Sequence, residues 1–172
     1  DLRMSRGLGD VYKRQVFSCL PRDRKLEIMR DSRIGTMGAA ALWIVLILKV
    51  ALLGDFNGWD KTRILFFMPV AGRGAMVWAV IRFPYARKEG MGSFFQGAAK
   101  RQLAVNGVFV IIAAFVLFGL RGLILVGILT GAVQIMSYCL ARSLGGLTGD
   151  TYGALCETTE MLTLLAGVVL KL

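Results

Sequence analysis

Leu103–Leu140 reads LAVNGVFVIIAAFVLFGLRGLILVGILTGAVQIMSYCL, a run whose one charged side chain is Arg121. A membrane-spanning helix takes about 20 apolar residues, so the run holds two spans, Leu103–Leu120 and Leu123–Leu140. Arg121 and Gly122 alone separate them, and so short a joint requires an antiparallel helical hairpin. The same texture recurs on either side of the hairpin. Met37–Leu53 and Ile64–Ile81 precede it, and Tyr152–Leu172 comes after it. The fold class expected is all-α: a polytopic membrane helical bundle of about five transmembrane helices, preceded by a charged cytoplasmic helix.

Composition agrees with that class. Of 172 residues 56% are apolar, mean hydropathy is +0.62 and prolines number three, which is well beyond a soluble domain. The net charge is +10, but the basic residues gather between the apolar runs. That pattern suits cytoplasmic loops beside anionic lipid or a polyanionic substrate. No segment interleaves aromatic and basic side chains, so no nucleic-acid partner is expected. Histidine is absent, which excludes a His general base, a Ser-His-Asp triad and a His-ligated zinc ion. Cys19, Cys139 and Cys156 form no CxxC pair, so neither a disulfide framework nor a metal knuckle is expected. Chemistry is left to carboxylates, arginines, hydroxyls and backbone amides, the groups of metal-assisted phosphate chemistry.

Residues 1–15 (DLRMSRGLGDVYKRQ) share no texture with the rest of the chain and lack the apolar core of a signal peptide. They are read as an artefactual segment, with residues 16–172 the C-terminal part of one integral-membrane domain. Pro21 suits the first turn of a helix running to about Arg33. On that helix Asp23, Glu27 and Asp31 would share one face, and Gly35 would end it. Lys49 lies near one end of its span, where a long side chain can snorkel, and reads as an anchor. Arg73 lies near the middle of the second span, four residues after Pro69. An arginine there costs about 2.5–3.5 kcal/mol on insertion scales and is functional by default.

Orientation follows from the basic residues. Arg22, Arg24, Lys25, Arg30 and Arg33 precede the first span, and Arg82, Arg87, Lys88, Lys100 and Arg101 flank or occupy the long loop. If the spans alternate, these share one side with the glycine-rich loop Ala141–Thr151, against Lys61, Arg63, Arg121 and Lys171 on the other. Positive-inside bias makes the first side cytoplasmic, in the inner (plasma) membrane.

The polar motifs therefore converge on one face. In GGLTGD, Gly145, Gly146 and Gly149 let backbone amides approach an anion, Thr148 can donate, and Asp150 can hold a hard cation. A helix starting after Asp150 would aim its N-terminus at that loop. Glu157 lies about two turns past Asp150, close to the same face, so the pair is the candidate metal site; Glu160 is one turn further on. Tyr85 and Arg87 of YARKEGMG add an aromatic ring and a guanidinium fork for phosphate.

RDRKLEIMRDSRIGTMG, mid-span Arg73, YARKEGMG and GGLTGDTYGA stand in the order and spacing of one family. From Phe17 to Leu172 the chain resembles the cobalamin synthases, membrane enzymes known as adenosylcobinamide-GDP ribazoletransferases. The resemblance implies transfer of α-ribazole, or its 5′-phosphate, to adenosylcobinamide-GDP with release of GMP and a need for Mg²⁺. On that expectation Arg30, Arg33, Arg73 and Arg87 contact phosphate. Asp31, Asp150 and Glu157 hold metal or orient the hydroxyl, and Gly35, Thr36, Thr148 and the loop glycines shape the backbone. Other enzymes of the pathway are expected as possible partners at the cytoplasmic loops. One departure stands out: the family's acidic motif, of the form DGLADxxDG, is replaced here by GDVYKRQV. The 172 residues alone are therefore expected to be inactive and a longer parent active. The rivals are a small transporter using an Arg73–Glu157 charge pair and a non-catalytic membrane partner. Against the transporter, the polar motifs are expected on one face instead of at mid-depth, and no internal repeat relates the halves.

Overall fold

The computed structural model describes residues 21–29, 35–86 and 100–172. Its helices are α1 (Arg22–Ile28), α2 (Thr36–Gly54), α3 (Gly58–Arg82), α4 (Lys100–Leu144) and α5 (Gly149–Leu170). α1 belongs to a separate unit that ends at Arg33. Pro21 is its N-cap, where its fixed φ (−56°) costs nothing. α1 stops at Ile28 instead of Arg33, and Asp31 lies outside the described residues, so the three-carboxylate face is not seen. Gly35, expected to close α1, is instead the extended N-cap of α2.

α2 to α5 make up the second unit. α3, residues 104–144 of α4, and α5 are each long and apolar enough to cross a membrane, and α2 is a shorter apolar helix. α3 begins six residues ahead of the expected span and runs through Pro69 without ending. α4 has 45 residues; unbroken, it would rise about 68 Å, more than twice the hydrocarbon thickness. It breaks at Gly119 (φ 60°, ψ −139°), within two residues of the joint expected at Arg121-Gly122. A Cβ on Gly122 would stand 2.1 Å from the Ala114 carbonyl oxygen, so a glycine is what lets the two arms meet. Ala114 from one arm and Leu125 and Leu129 from the other pack with Phe67 and Ala71 of α3.

α5 is the hub of the bundle, packing against α2, α3 and α4. At the hairpin end, Arg121 donates to the Lys171 carbonyl at 2.8 Å, where the negative end of the α5 dipole favours a cation. Phe56 from the α2–α3 turn packs there with Ile64 and Leu164. Trp43, Ile47 and Val50 of α2 and Phe109, Phe115 and Val116 of α4 point outward. Helical backbones satisfy their own polar groups, so such apolar faces suit lipid. The bundle is that of a membrane protein.

Candidate functional site

Four charged side chains meet inside this bundle. Lys49 of α2 donates to Glu157 Oε2 and to Glu160 Oε2, each at 2.7 Å. Glu160 turns its other oxygen, Oε1, to the guanidinium of Arg73 on α3. Arg73 Nη1 also lies 3.7 Å from Cys156 Sγ. The chain Glu157–Lys49–Glu160–Arg73 thus ties three helices together with two positive and two negative charges. Burying any one alone would be costly; paired and hydrogen-bonded, they are tolerated. The Glu160 and Lys49 side chains are 9% and 11% exposed, whereas Arg73 and Glu157 are 64% and 51% exposed. The first two form the buried link, and the second two offer further donors and acceptors. Gly72 makes room for it, since a Cβ there would lie 2.9 Å from both Cys156 Sγ and Glu160 Cγ.

The network sits at mid-depth. Counting from the Gly149 end at about 1.5 Å per residue, Glu157 lies about 12 Å and Glu160 about 17 Å along α5. Arg73 lies about 13 Å from the Arg82 end of α3, and Lys49 about 20 Å from the Thr36 end of α2. This corrects two expectations. Lys49 does not snorkel as an anchor, because the two carboxylates hold it within the bundle. Nor do all polar groups sit on one face, because these four are set half-way through.

At the Gly149 end the two loops chosen from the sequence do meet. The Ala86 amide donates to the Leu147 carbonyl at 2.7 Å, and the Leu147 amide to the Pro84 carbonyl at 2.8 Å. This is a short parallel bridge between Tyr85 and Leu147. Gly146 (φ 148°) permits it: a Cβ would stand 2.7 Å from the Pro84 oxygen and 2.8 Å from the Ala86 nitrogen. Gly145 also has positive φ, 71°. Tyr85 stacks on Tyr152 with ring centroids 6.4 Å apart. Thr148 is fully buried and caps α5 in a reciprocal box with Thr151. Its hydroxyl is committed to the helix and not presented to a ligand, which corrects its expected role as a phosphate donor. Gly149 opens α5, and Asp150 in the first turn complements the helix dipole.

Of the remaining expected site residues, Gly35 and Thr36 stand at the start of α2, at the same end of the bundle as Gly149. Arg30, Asp31, Arg33 and Arg87 lie outside the described residues. Sequence reading missed Lys49 and Glu160 as site residues. The signal was available: a cation in each of two apolar spans and two carboxylates in a third need one another to enter a membrane.

The proposed metal pair fits a shared Mg²⁺ poorly. Asp150 and Glu157 are seven residues apart on one helix, an axial rise of about 10 Å. Two ligands of one Mg²⁺ reach it at about 2.1 Å each. Glu157 is also occupied by the Lys49 ammonium. Among the described residues no group of three or more His, Cys, Asp or Glu stands close enough to hold an ion.

Fold and network together define an integral membrane protein with a polar centre held between apolar helices. The chain belongs to the family described as Cobalamin-5-phosphate synthase, whose pattern it matches over residues 7–168. The match begins within the segment expected to be artefactual. Over 146 residues the chain is 44% identical to an adenosylcobinamide-GDP ribazoletransferase of Desulforamulus reducens, covering 84% of this chain and 59% of that protein. Its namesake in Roseiflexus sp. is 44% identical over 160 residues, covering 92% and 59%. That of Citrobacter koseri is 41% identical over 164 residues, covering 93% and 66%. The chain therefore spans about 59% of the length of the first two relatives. No solved structure matches it.

Proposed function

We propose that the protein of which this chain is part performs the reaction in its relatives' name. It transfers α-ribazole, or its 5′-phosphate, to adenosylcobinamide-GDP and releases GMP, a late step of cobalamin synthesis. The observation that carries this reading is the network. It draws Arg73 and Glu157, both chosen from the sequence, into one connected centre in a chain of this family.

In the reaction a ribose hydroxyl oxygen bonds to the cobinamide-side phosphorus, and the bond from that phosphorus to the GMP oxygen breaks. Arg73, fixed at one edge by Glu160, turns its exposed N–H groups to the phosphate oxygens as charge builds on them. Glu157 holds Lys49 through Oε2; Oε1 accepts the hydroxyl proton. Magnesium belongs to this reading through the family resemblance, and when bound it would neutralise phosphate charge. The described carboxylates do not form its site by themselves. Asp150, about 10 Å nearer the loop end along α5, contacts the incoming substrate there and leaves the reacting hydroxyl to Glu157. The loop end faces the cytoplasm of an inner-membrane, multi-pass protein, where other enzymes of the pathway dock.

The test uses the full-length protein in vesicles with both substrates. Glu157→Gln is expected to slow GMP release by about 10²–10⁴-fold, the usual contribution of a positioned base. Arg73→Gln is expected to slow it by about 10²–10³-fold, as for other donors to a developing oxyanion. Activity within a few fold of wild type in both would remove the network from the reaction.

A further inference from the structure

Along α5 the residues Asp150, Gly153, Ala154 and Glu157 are all exposed, whereas Thr151, Tyr152, Leu155 and Cys156 between them are buried. Steps of three and four place the first set on a single helix face. That face runs from the helix N-terminus at the loop end to the charged network. Gly153 and Ala154 are small, and a Cβ added at Gly153 meets no atom within 4 Å among the described residues. α2 and α3 both pack on α5, and their mutual contact is slight despite the short turn that joins them. α2 reaches the stripe through Lys49 on Glu157, and α3 reaches the network through Arg73 on Glu160. At the far end of the stripe stand the half-exposed Arg73 and Glu157. A guanidinium and a carboxylate exposed at mid-depth are incompatible with hydrocarbon and call for water.

We propose that this stripe is the floor of a water-filled cleft that admits a phosphate ester from the loop end to Arg73 and Glu157. The buried Lys49–Glu160 pair holds those two groups in position. The cleft deepens the transferase reading and rests on it for the ligand class. Its existence rests on the exposure pattern alone. Arg73 supplies the cation for an anionic oxygen, and Glu157 the acceptor for a neighbouring hydroxyl, so the ligand carries both. The small residues midway set the width of the passage.

The test is thiol accessibility in the full-length protein in sealed vesicles, with the native cysteines replaced. Gly153→Cys and Ala154→Cys are compared with Val116→Cys, which projects outward from α4 and is 74% exposed. A membrane-impermeant anionic thiol reagent is applied at the loop side. The stripe cysteines are expected to react about tenfold or more faster than Val116→Cys, because a water-filled, cation-bearing cleft concentrates the anion. Millimolar inorganic pyrophosphate should slow the reaction, and Arg73→Gln should abolish that protection. Stripe cysteines as slow as Val116→Cys would overturn the cleft. Labelling that pyrophosphate leaves unchanged would overturn its assignment to a phosphate ester. Neither readout uses transfer, so a failed transferase assay beside a labelled, protected cleft would count against the reaction and not against the cleft.

Discussion

Gly146 shows how one residue serves the loop end. Sequence reading chose it for close approach of backbone to an anion; the structure uses its freedom for close approach of backbone to backbone. Both rest on the missing Cβ, and sequence alone does not say which partner arrives. Gly146→Ala is expected to cost about 1–3 kcal/mol, the usual penalty for strain in a sparsely populated conformation. Gly149→Ala, with nothing within 4 Å of the added Cβ, should stay within about 0.5 kcal/mol of wild type. Thermal unfolding in detergent checks both; equal losses would mean that the Pro84–Leu147 bridge does not depend on Gly146. Asp150 belongs to this scale too. Asp150→Asn is expected to abolish transfer in the full-length protein while membrane insertion, read by fractionation, is unchanged. Near-normal transfer would remove Asp150 from the mechanism.

Among the helices, the spans were legible because about 20 consecutive apolar residues have few alternatives. Helix ends were less so: α3 starts at Gly58, where Asp60, Lys61 and Arg63 make the first turns too polar to be read as part of a span. The pairing of α2 with α5 was not legible. Lys49 meets its carboxylates across 108 and 111 residues, and spacing within one helix carries no trace of such a contact. Lys49→Met is expected to lower stability by about 3 kcal/mol or more, because it strands the buried Glu160 beside a single remaining cation. Lys49→Arg should recover part of that loss. Equal unfolding temperatures for wild type and Lys49→Met would show that α2 docks without the ion pairs. A milder contrast is the Trp78–Gln134 hydrogen bond of 3.1 Å between α3 and α4. Gln134→Leu should cost about 0.6 kcal/mol, as is usual for such bonds in membrane bundles.

For the molecule as a whole, the all-α membrane class and the shared side of the two loops could be read from hydropathy and charge. The centre could be read only in part. Arg73 and Glu157 were visible as charges in apolar surroundings, but the buried pair that joins them depends on how three helices pack. The relatives are longer, and a transporter would also place charges at mid-depth, so what the centre does is decided by chemistry. The measurement to make is GMP release by the purified full-length protein in sealed vesicles given adenosylcobinamide-GDP and α-ribazole, with the joined product identified by mass. A transferase releases one GMP for each product formed and needs both substrates together. Vesicles that take up either compound without forming GMP would contradict the transferase and make the network part of a transport path.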